Sequence, residues 1–319
     1  MCKFSTQARW TSLVVAIIVL HLPATLTAAD ASKGRLKVFI LAGQSNMEGQ
    51  GKIALDPRRN DGKGSLEYLV QDPATADHFK HLKDAEGEWA PRNDVWIWYL
   101  GRKGPLTVGY GAREDRIGPE LGFGHVMGDA CDEQVLLIKI AWGGKSLAKD
   151  FRPPSSGDEV GPYYRELLKH VREVLADLKT LFPEYDGRGY EIAGFGWHQG
   201  WNDRINQAFN DAYEQNMANF IRDIRKDLGI ENLPFVIAET GMSGRSETHP
   251  RALSLMRAQA AVAERDEFRG NVAFVGTKDF YRPPEESPSR QGYHWNSNAG
   301  TYYLIGAAMG KAMKKLCQR

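Results

Sequence analysis

The chain has 319 residues, with 41 basic and 40 acidic side chains and a formal net charge of +1. This balance supplies no electrostatic footprint for nucleic acid or for an anionic membrane surface, so neither is expected as a partner. Apolar residues make up 42% of the chain and charged residues 25%, which is ordinary for a soluble enzyme of one large or two small domains.

The N-terminus has the order of a secretory signal peptide. Lys3 and Arg9 precede an apolar run at 13–20, and small residues follow at 27–29. The run is too short to span a bilayer comfortably. We predict a signal peptide over residues 1–29, a secreted or periplasmic mature protein, and no stable membrane insertion after cleavage. A permanent N-terminal anchor is the alternative.

The first strong element after the signal is the apolar run 38–42, which ends in Gly43, Gln44 and Ser45. A short apolar run that stops at a turn is typical of a buried strand in a parallel sheet. Ligands bind in the crevice outside the carboxyl ends of such strands. Ser45 is therefore a candidate nucleophile, and it needs a histidine from elsewhere in the chain.

Residues 49–117 are rich in glycine and poorly periodic, and we interpret them as an insertion on the Ser45 side. Within them, the segment 94–100 alternates and predicts a short strand, followed by a glycine turn. Trp96 and Trp98 in this segment either offer faces on which sugar rings stack or pack the insertion itself. Ordered insertions of this length are usually functional.

From residue 118 onward, apolar runs alternate with helical patterns. The apolar runs predict strands at 135–141, 192–197, 234–238 and 272–276. Apolar spacing and capping residues predict helices at 119–131, 162–181, 209–228, 250–268, and from a cap at Asn296 or Ser297 to the C-terminus. The alternation indicates an α/β fold with a five-stranded parallel sheet, in a single domain over 30–319. Cys131 and Cys317 lie in this domain, and whether they pair stays open.

Four polar turns follow predicted strands, and the topology brings them to one edge of the sheet. They are 43–45, 143–144, 198–200 and 239–240. Acyl transfer requires a serine, a base, and donors aimed at the developing oxyanion. The backbone N–H groups of Ser45 and of Gly144 or Gly143 are candidate donors, because glycine lets the backbone approach a substrate closely. The side-chain amide of Gln199 is a third candidate.

The base must be a histidine from the part of the chain that follows the signal. The histidines there are His78, His81, His125, His170, His198, His249 and His294. His294 lies in a loop just before the terminal helix, from which it can reach the Ser45 edge, and we favour it as the base. His198 lies at a strand end and is the alternative; otherwise it is expected to contact the substrate or the protein itself.

These residues together resemble the SGNH hydrolases, and more specifically the branch of carbohydrate esterase family 6 acetylxylan esterases and sialate O-acetylesterases. The segments that carry the resemblance are, in the family's order, 43–47, 118–123, 143–146, 197–200 and His294. They cover essentially the whole chain after the signal. The resemblance implies a three-layer, flavodoxin-like α/β/α sandwich that deacetylates sugars. It implies Ser45 as nucleophile, His294 as base, and Ser45, Gly144 and Gln199 as the oxyanion hole.

Two positions depart from the family's pattern. Trp201 stands where members commonly carry Glu after the His-Gln-Gly triplet, and Gln291 stands where they commonly carry Asp three residues before the histidine. The acid that orients the base is thus absent from its usual place, and loss of that acid can slow a triad about 10⁴-fold. Asp203 is our candidate acid and Asp279 the alternative. A dyad, in which Gln291 or a backbone carbonyl orients His294, stays open.

The sequence predicts an exported serine esterase that removes O-acetyl groups from a carbohydrate of the acetylxylan or sialate type. We expect an acyl-enzyme on Ser45, no cofactor and no metal, since no metal-ligand spacing appears. The expected substrate contacts are Gln44, Asn46, His198, Trp201, Trp96 and Trp98. The alternative is a non-catalytic or weakly active carbohydrate-binding relative on the same scaffold. A nucleotide-binding protein is disfavoured, because no Gly-x-Gly-x-x-Gly follows a strand and opens a helix.

Overall fold

The computed structural model describes Met1 and residues 34–318, so the predicted signal peptide lies outside the described residues apart from Met1. The strands in the described part are, in chain order, β1 (Leu36–Gly43), β2 (Gly51–Lys52), β3 (Arg92–Tyr99), β4 (Arg102–Leu106), β5 (Arg116–Ile117), β6 (Val135–Ala141), β7 (Tyr190–His198), β8 (Phe235–Ala238) and β9 (Val272–Val275). Strands β2 and β5 form a two-stranded ribbon. The other seven form one sheet in the order β4-β3-β6-β1-β7-β8-β9.

The sheet confirms the predicted α/β fold and corrects its strand count. Strands β3, β6, β1, β7, β8 and β9 run parallel, while β4 pairs antiparallel with β3 at one edge. The predicted number of five is wrong by two. Strands β3 and β4 belong to the segment that we interpreted as an insertion with its own short strand and turn, and they extend the main sheet instead.

Helices cover both faces of the sheet. The α-helices of the described residues are α1 (Ser45–Glu48), α2 (Leu66–Gln71), α3 (Ala76–Phe79), α4 (Pro119–Gly128), α5 (Pro162–Ala176), α6 (Leu178–Leu181), α7 (Trp201–Arg204), α8 (Gln207–Leu228), α9 (Pro250–Glu264) and α10 (Ala299–Cys317). Leu167, Phe220 and Leu255 pack α5, α8 and α9 into the core on one face of the sheet. Leu121 and Ile305 pack α4 and α10 into the core on the other face.

Strand β1 shows why the predicted strands are apolar throughout. Val38 and Ile40 face the core under α5 and α8, and the intervening Phe39 and Leu41 face the core under α4 and α10. All four side chains are at most 1% exposed. A strand buried on both faces has no polar side to alternate with, so its sequence is a continuous hydrophobic run.

Helices α4 and α10 pack closely because glycines lie at their contact. A Cβ atom at Gly122 would collide with the backbone carbonyl of Tyr303, and one at Gly306 would collide with that of Pro119. A larger residue at either position would force the helices apart. This contact fixes the start of α10 and thereby the loop that precedes it.

The terminal helix begins later than predicted. Its N-cap is Asn298, whose side-chain oxygen accepts the N–H of Thr301 at 3.1 Å. Asn296 and Ser297, the predicted caps, belong to a tight turn before the helix. Cys131 and Cys317 are free thiols in the structure. Within the described residues, no helix combines the length and the apolar character needed to cross a membrane.

Candidate active site

Ser45 lies at the carboxyl end of β1, at the first position of the short helix α1. The chain turns sharply there because Gly43 lies against β7: a Cβ atom on Gly43 would collide with the carbonyl of His198. The N–H of Gln44 donates to that same carbonyl at 3.3 Å. Ser45 is 8% exposed and lies at the crevice edge where ligands bind in open α/β sheets.

His294 reaches Ser45 from the loop before α10. Its Nε2 lies 2.9 Å from the Ser45 hydroxyl oxygen, within hydrogen-bond range. The loop holds His294 in a left-handed turn, in which His294, Trp295, Asn296 and Ser297 have φ values of 50°, 51°, 52° and 61°. Each non-glycine residue in this region costs roughly 1–2 kcal/mol, so the turn depends on the contacts around it.

Those contacts come from both sides of the turn. The Asn296 amide donates to the carbonyl of Arg282 at 3.2 Å and accepts the N–H of Gly292 at 3.1 Å. Trp295 is fully buried, and its carbonyl accepts the N–H of Asn298 at 3.0 Å. The turn is therefore fixed by packing and hydrogen bonds, and it holds the imidazole in place without help from a carboxylate.

The electrostatic environment of His294 favours its neutral form. Burial lowers the pKa of His294 below its usual 6.5, and no carboxylate of the described residues acts to raise it. In the described part of the chain, no group forms a hydrogen bond with its second ring nitrogen. A neutral imidazole next to a serine hydroxyl can accept the serine proton at neutral pH.

Asp203 does not stand where a triad acid would, and this corrects its predicted role. Its carboxylate accepts the N–H groups of Leu147 and Ala148, each at 2.8 Å, and the side-chain amide of Gln199 at 2.5 Å. Burial raises the pKa of Asp203 to about 6. The side chain fixes the loop after β6 and makes no hydrogen bond to His294, so we assign it a structural role.

Asp279, the alternative acid, is also engaged elsewhere. It pairs with Arg245 at 2.6 Å on the surface, and its side chain is 64% exposed. Gln291 donates a long hydrogen bond of 3.4 Å to the hydroxyl of Ser297 and none to His294. Of the arrangements that the sequence left open, the structure therefore contains a Ser45–His294 pair that has no acidic partner among residues 34–318.

The side-chain amide of Gln199 has no free N–H group for a ligand, which corrects its assignment to the oxyanion hole. Its amide nitrogen donates to the carbonyl of Lys145 at 3.0 Å and to Asp203 at 2.5 Å. Both neighbours are acceptors, so the amide cannot be turned over without placing oxygen against oxygen. Both N–H groups are thus occupied inside the protein.

The amide that lies beside the glycine turn is Asn202, a residue that the sequence interpretation missed. Its nitrogen donates to the carbonyl of Gly144 at 2.9 Å, and its oxygen accepts the amide of Gln44 at 3.2 Å. The side chain is partly exposed and keeps a second N–H. The sequence did contain a clue to this residue, namely an amide shortly after the turn that ends β7. The departure from the family pattern at Trp201 obscured that clue.

The two glycines after β6 differ in whether their backbone N–H groups are free to bind a ligand. The Gly143 N–H donates to the carboxylate of Glu48 at 3.0 Å. Gly144 has φ +73°, and a Cβ atom there would meet nothing within 4 Å, so its backbone is open to a ligand. No described residue accepts the Gly144 N–H, so this donor is free to bind a ligand.

A buried ion pair supports the far side of the Ser45 turn. Lys139, on β6, and Glu120, on α4, are both fully buried and lie 2.6 Å apart. The Lys139 ammonium also donates to the backbone carbonyls of Glu48 and Tyr110, each at 2.7 Å. Glu120 in turn accepts the N–H of Gly118 at 2.7 Å. The pair therefore ties α1, α4 and the segment at 110–118 together below Ser45.

Three of the expected substrate contacts lie inside the protein, which corrects their assignment. Gln44 is 1% exposed and bonds to the segment after β7. Asn46 is 1% exposed and contacts Met242 and Tyr302. His198 is fully buried, and burial lowers its pKa to about 3. A neutral, buried His198 is neither the alternative base nor a surface for sugar.

Trp96 and Trp98 pack the core and do not line the site. Each is 8% exposed. Trp96 stacks on Phe182 with the ring centres 5.0 Å apart, and the Trp98 ring lies 5.5 Å from that of His170. Their neighbours Val95 and Ile97 face the opposite core, because β3 is buried on both faces. The sequence left two interpretations open for these tryptophans, sugar stacking and packing, and packing is the correct one.

Trp201 is different, because it is partly exposed close to His294. The guanidinium of Arg204 lies 3.7 Å from the centre of its ring. Tyr293, whose ring centre is 6.4 Å away, is 43% exposed and directly precedes His294 in the chain. These two aromatic rings can stack on a sugar next to the serine. The sequence interpretation missed Tyr293, although an aromatic residue beside the proposed base was a usable signal.

The fold and the site together define an α/β fold with helices on both faces of a mostly parallel sheet and a serine–histidine pair at the carboxyl edge of that sheet. Among the described residues, no group of three or more His, Cys, Asp or Glu side chains could hold a metal ion. The chain matches the family described as carbohydrate esterase, sialic acid-specific acetylesterase, over residues 35–314, and it belongs to that family. No curated protein matches the sequence.

Solved structures with a similar fold include three proteins of low sequence identity. A protein of Arabidopsis thaliana superposes with a TM-score of 0.55 at 17% identity, over 88% of this chain and 98% of that one. A carbohydrate acetylesterase from Xanthomonas citri gives 0.54 at 12% identity, over 88% of this chain and 56% of its own. NanS gives 0.51 at 16% identity, over 81% and 84%. At these identities the likeness shows the fold alone.

Proposed function

We propose that this protein is an exported serine esterase that removes O-acetyl groups from a carbohydrate of the acetylxylan or sialate type. The observation that carries the proposal is the 2.9 Å contact between the Ser45 hydroxyl and His294 Nε2 at the carboxyl edge of the sheet. Membership of a carbohydrate esterase family supplies the substrate class. The signal-like order of residues 1–29 supports export to a secreted or periplasmic location.

In the proposed mechanism, the Ser45 oxygen attacks the acetyl carbonyl while His294 Nε2 takes the hydroxyl proton. The negative charge that develops on the carbonyl oxygen is stabilised by the N–H groups of Ser45 and Gly144 and by the Asn202 amide. The tetrahedral intermediate then expels the sugar hydroxyl, which receives its proton from His294. A water molecule, deprotonated by His294, attacks the acetyl-enzyme and releases acetate, which restores Ser45.

We propose that Ser45 and His294 act as a dyad. In a triad, the carboxylate fixes the imidazole tautomer and stabilises the imidazolium that forms in the transition state. Here the left-handed turn at 294–297 supplies the orientation. Nothing among the described residues supplies the second effect. We therefore expect a slower enzyme than a complete triad on the same scaffold would be.

The direct test is acetate release from acetylated xylan and from O-acetylated sialic acid, with a fluorophosphonate probe run in parallel. Acetate release from one of the two, together with probe labelling at Ser45, supports the proposal and selects the substrate type. If the probe does not label Ser45 and the protein still binds either carbohydrate, the alternative of a non-catalytic binding relative is correct.

Replacing Asn202 with alanine is expected to lower kcat about 10²- to 10³-fold, because one oxyanion donor is removed. KM should change little, since the charge on the carbonyl oxygen develops only in the transition state. Steady-state kinetics on p-nitrophenyl acetate measures both constants. Asn206→Ala is the matched control: Asn206 caps α8 by accepting the N–H of Phe209 at 3.1 Å. That change should lower stability but not kcat.

The pH profile separates a dyad from a triad. With His294 neutral as the base, kcat/KM should be at its plateau near pH 7 and fall as the pH drops through the pKa of His294. Burial lowers that pKa, so the inflection is expected on the acid side of 6.5. An inflection above 6.5 would mean that a carboxylate raises the pKa of His294 and would contradict the dyad.

A further inference from the structure

A cavity of about 400 Å³ lies between the β2–β5 ribbon and the loop that carries His294. The ribbon side contributes Lys52 and Arg116, and the loop side contributes Ser289, Gln291 and Ser297. The polar and charged residues that line the remaining wall are Asp56, Arg59 and Ser65. The wall is therefore largely polar, and one side of it is the segment that positions the proposed base.

The charges around the cavity are unequal. Lys52, Arg59 and Arg116 supply three cations. Asp115 bonds to Lys52 at 3.2 Å and to Arg116 at 2.6 Å, and Asp56 lies 3.7 Å from Arg59. The same two carboxylates also pair with Arg58 and Arg113, and a third carboxylate, that of Glu67, accepts the N–H of Leu55 in the cavity wall at 2.7 Å. Five cations thus face three carboxylates, and positive charge is in excess around the cavity. A cavity with this balance attracts an anion.

Two buried polar atoms in the wall lack partners among the described residues. They are Nε of Arg116 and the hydroxyl oxygen of Ser289. Arg116 is 6% exposed, and burial lowers its pKa despite the neighbouring Asp115. Leaving a buried N–H donor unpaired costs free energy, and more so when the group is charged. A guanidinium N–H can only donate, and a serine hydroxyl can donate as well as accept, so an acceptor in the cavity would satisfy both groups.

We propose that this cavity binds an oxyanion, a carboxylate or sulfate group, that accepts hydrogen bonds from Arg116 and Ser289. Lys52 and Arg59 add favourable charge. Occupancy would join the β2–β5 ribbon to the loop of His294 and so brace the strained turn. The group can arrive as a substituent of an acidic sugar in the substrate, which rests on the proposed function, or as a free small anion, which does not.

Sulfate binding tests the site itself. Thermal unfolding of the wild-type protein is followed in sodium sulfate and in sodium chloride at matched ionic strength. We expect a saturable rise in Tm with sulfate only. Ser289→Ala should weaken the apparent affinity about tenfold, the effect of one hydrogen bond to a charged group. Arg116→Gln should abolish saturation. Ser289→Ala leaves no partner unpaired, so it remains informative if Arg116→Gln does not fold.

Arg269→Gln is the matched control, because Arg269 is an exposed cation paired with Asp266 away from the cavity. It should bind sulfate like the wild type. Sulfate also stabilises proteins without binding, by exclusion from the surface. A Tm rise of equal size in the wild type and in the Ser289 and Arg116 variants is that general effect. It would overturn the proposal, as would the absence of saturation in the wild type.

Hydrolysis of paired esters identifies where the anion comes from. The kcat/KM of an O-acetylated hexuronic acid is compared with that of the corresponding neutral O-acetylated hexose. A preference for the acid that Ser289→Ala reduces assigns the site to the substrate. If sulfate binds and the variants do not alter the preference, the ligand is a free anion. Failure to hydrolyse either ester, together with no acetate release from acetylated xylan or O-acetylated sialic acid, contradicts the proposed function and leaves the sulfate result standing.

Discussion

Ser45→Ala is expected to reduce p-nitrophenyl acetate hydrolysis roughly 10²- to 10⁴-fold, less than in a complete triad, to the level that binding and the oxyanion donors alone sustain. His294→Ala should have an effect of similar size, because a serine hydroxyl is a weak nucleophile until a base takes its proton. The double variant should be no slower than either single one, since the two groups act as a unit. Initial rates and fluorophosphonate labelling measure all three.

The control for this experiment is Asp279→Ala. The sequence left Asp279 open as an acid, but the structure pairs it with Arg245 on the surface. Its removal should leave the rate unchanged, because an exposed pair of this kind contributes little. A large loss of activity in Asp279→Ala would mean that the loop rearranges and that a triad operates. Equal urea midpoints for all variants would show that the losses are not due to unfolding.

The sequence was most informative where burial dictated it. Strand β1 and the other central strands are buried on both faces, so their apolar runs identified them. The edge strand β4 gave no such signal: of its residues only Leu106 is buried, and the others read as a glycine turn. Strand β3 was predicted at 94–100, but its polar start at Arg92 and its place in a glycine-rich segment favoured an insertion over a strand of the main sheet.

The sequence predicted which segments meet at the site, because that follows from the direction of the strands. A serine after one strand and a histidine before the last helix meet because parallel strands end at one edge. Which atoms a side chain faces does not follow from the strand pattern. We assigned catalytic roles to Asp203 and Gln199 because they lie near the turn. In the structure, Asp203 instead accepts hydrogen bonds from the loop after β6 and from the Gln199 amide. Asn202, one residue away, carries the free N–H.

The largest expected loss of stability follows from Lys139→Met. The change leaves the Glu120 carboxylate buried and unpaired, and it removes the donor to the carbonyls of Glu48 and Tyr110. Breaking a buried pair by removing one partner costs about 3–5 kcal/mol. Because Glu48 ends the turn that begins at Ser45, kcat should fall as well. Urea unfolding, from the midpoint and its slope, measures the change in the free energy of unfolding.

Lys37→Met is the matched control for Lys139→Met, since Lys37 lies on the adjacent strand and pairs with Glu191 at 2.7 Å, with the glutamate 44% exposed. A pair of that kind contributes about 0–1 kcal/mol. Combining Lys139→Met with Glu120→Gln should recover only part of the loss, because neutralising Glu120 removes the unpaired charge but leaves the carbonyls of Glu48 and Tyr110 without their donor. Equal free energies of unfolding for the Lys139 and Lys37 variants would show that the buried pair does not support the Ser45 turn.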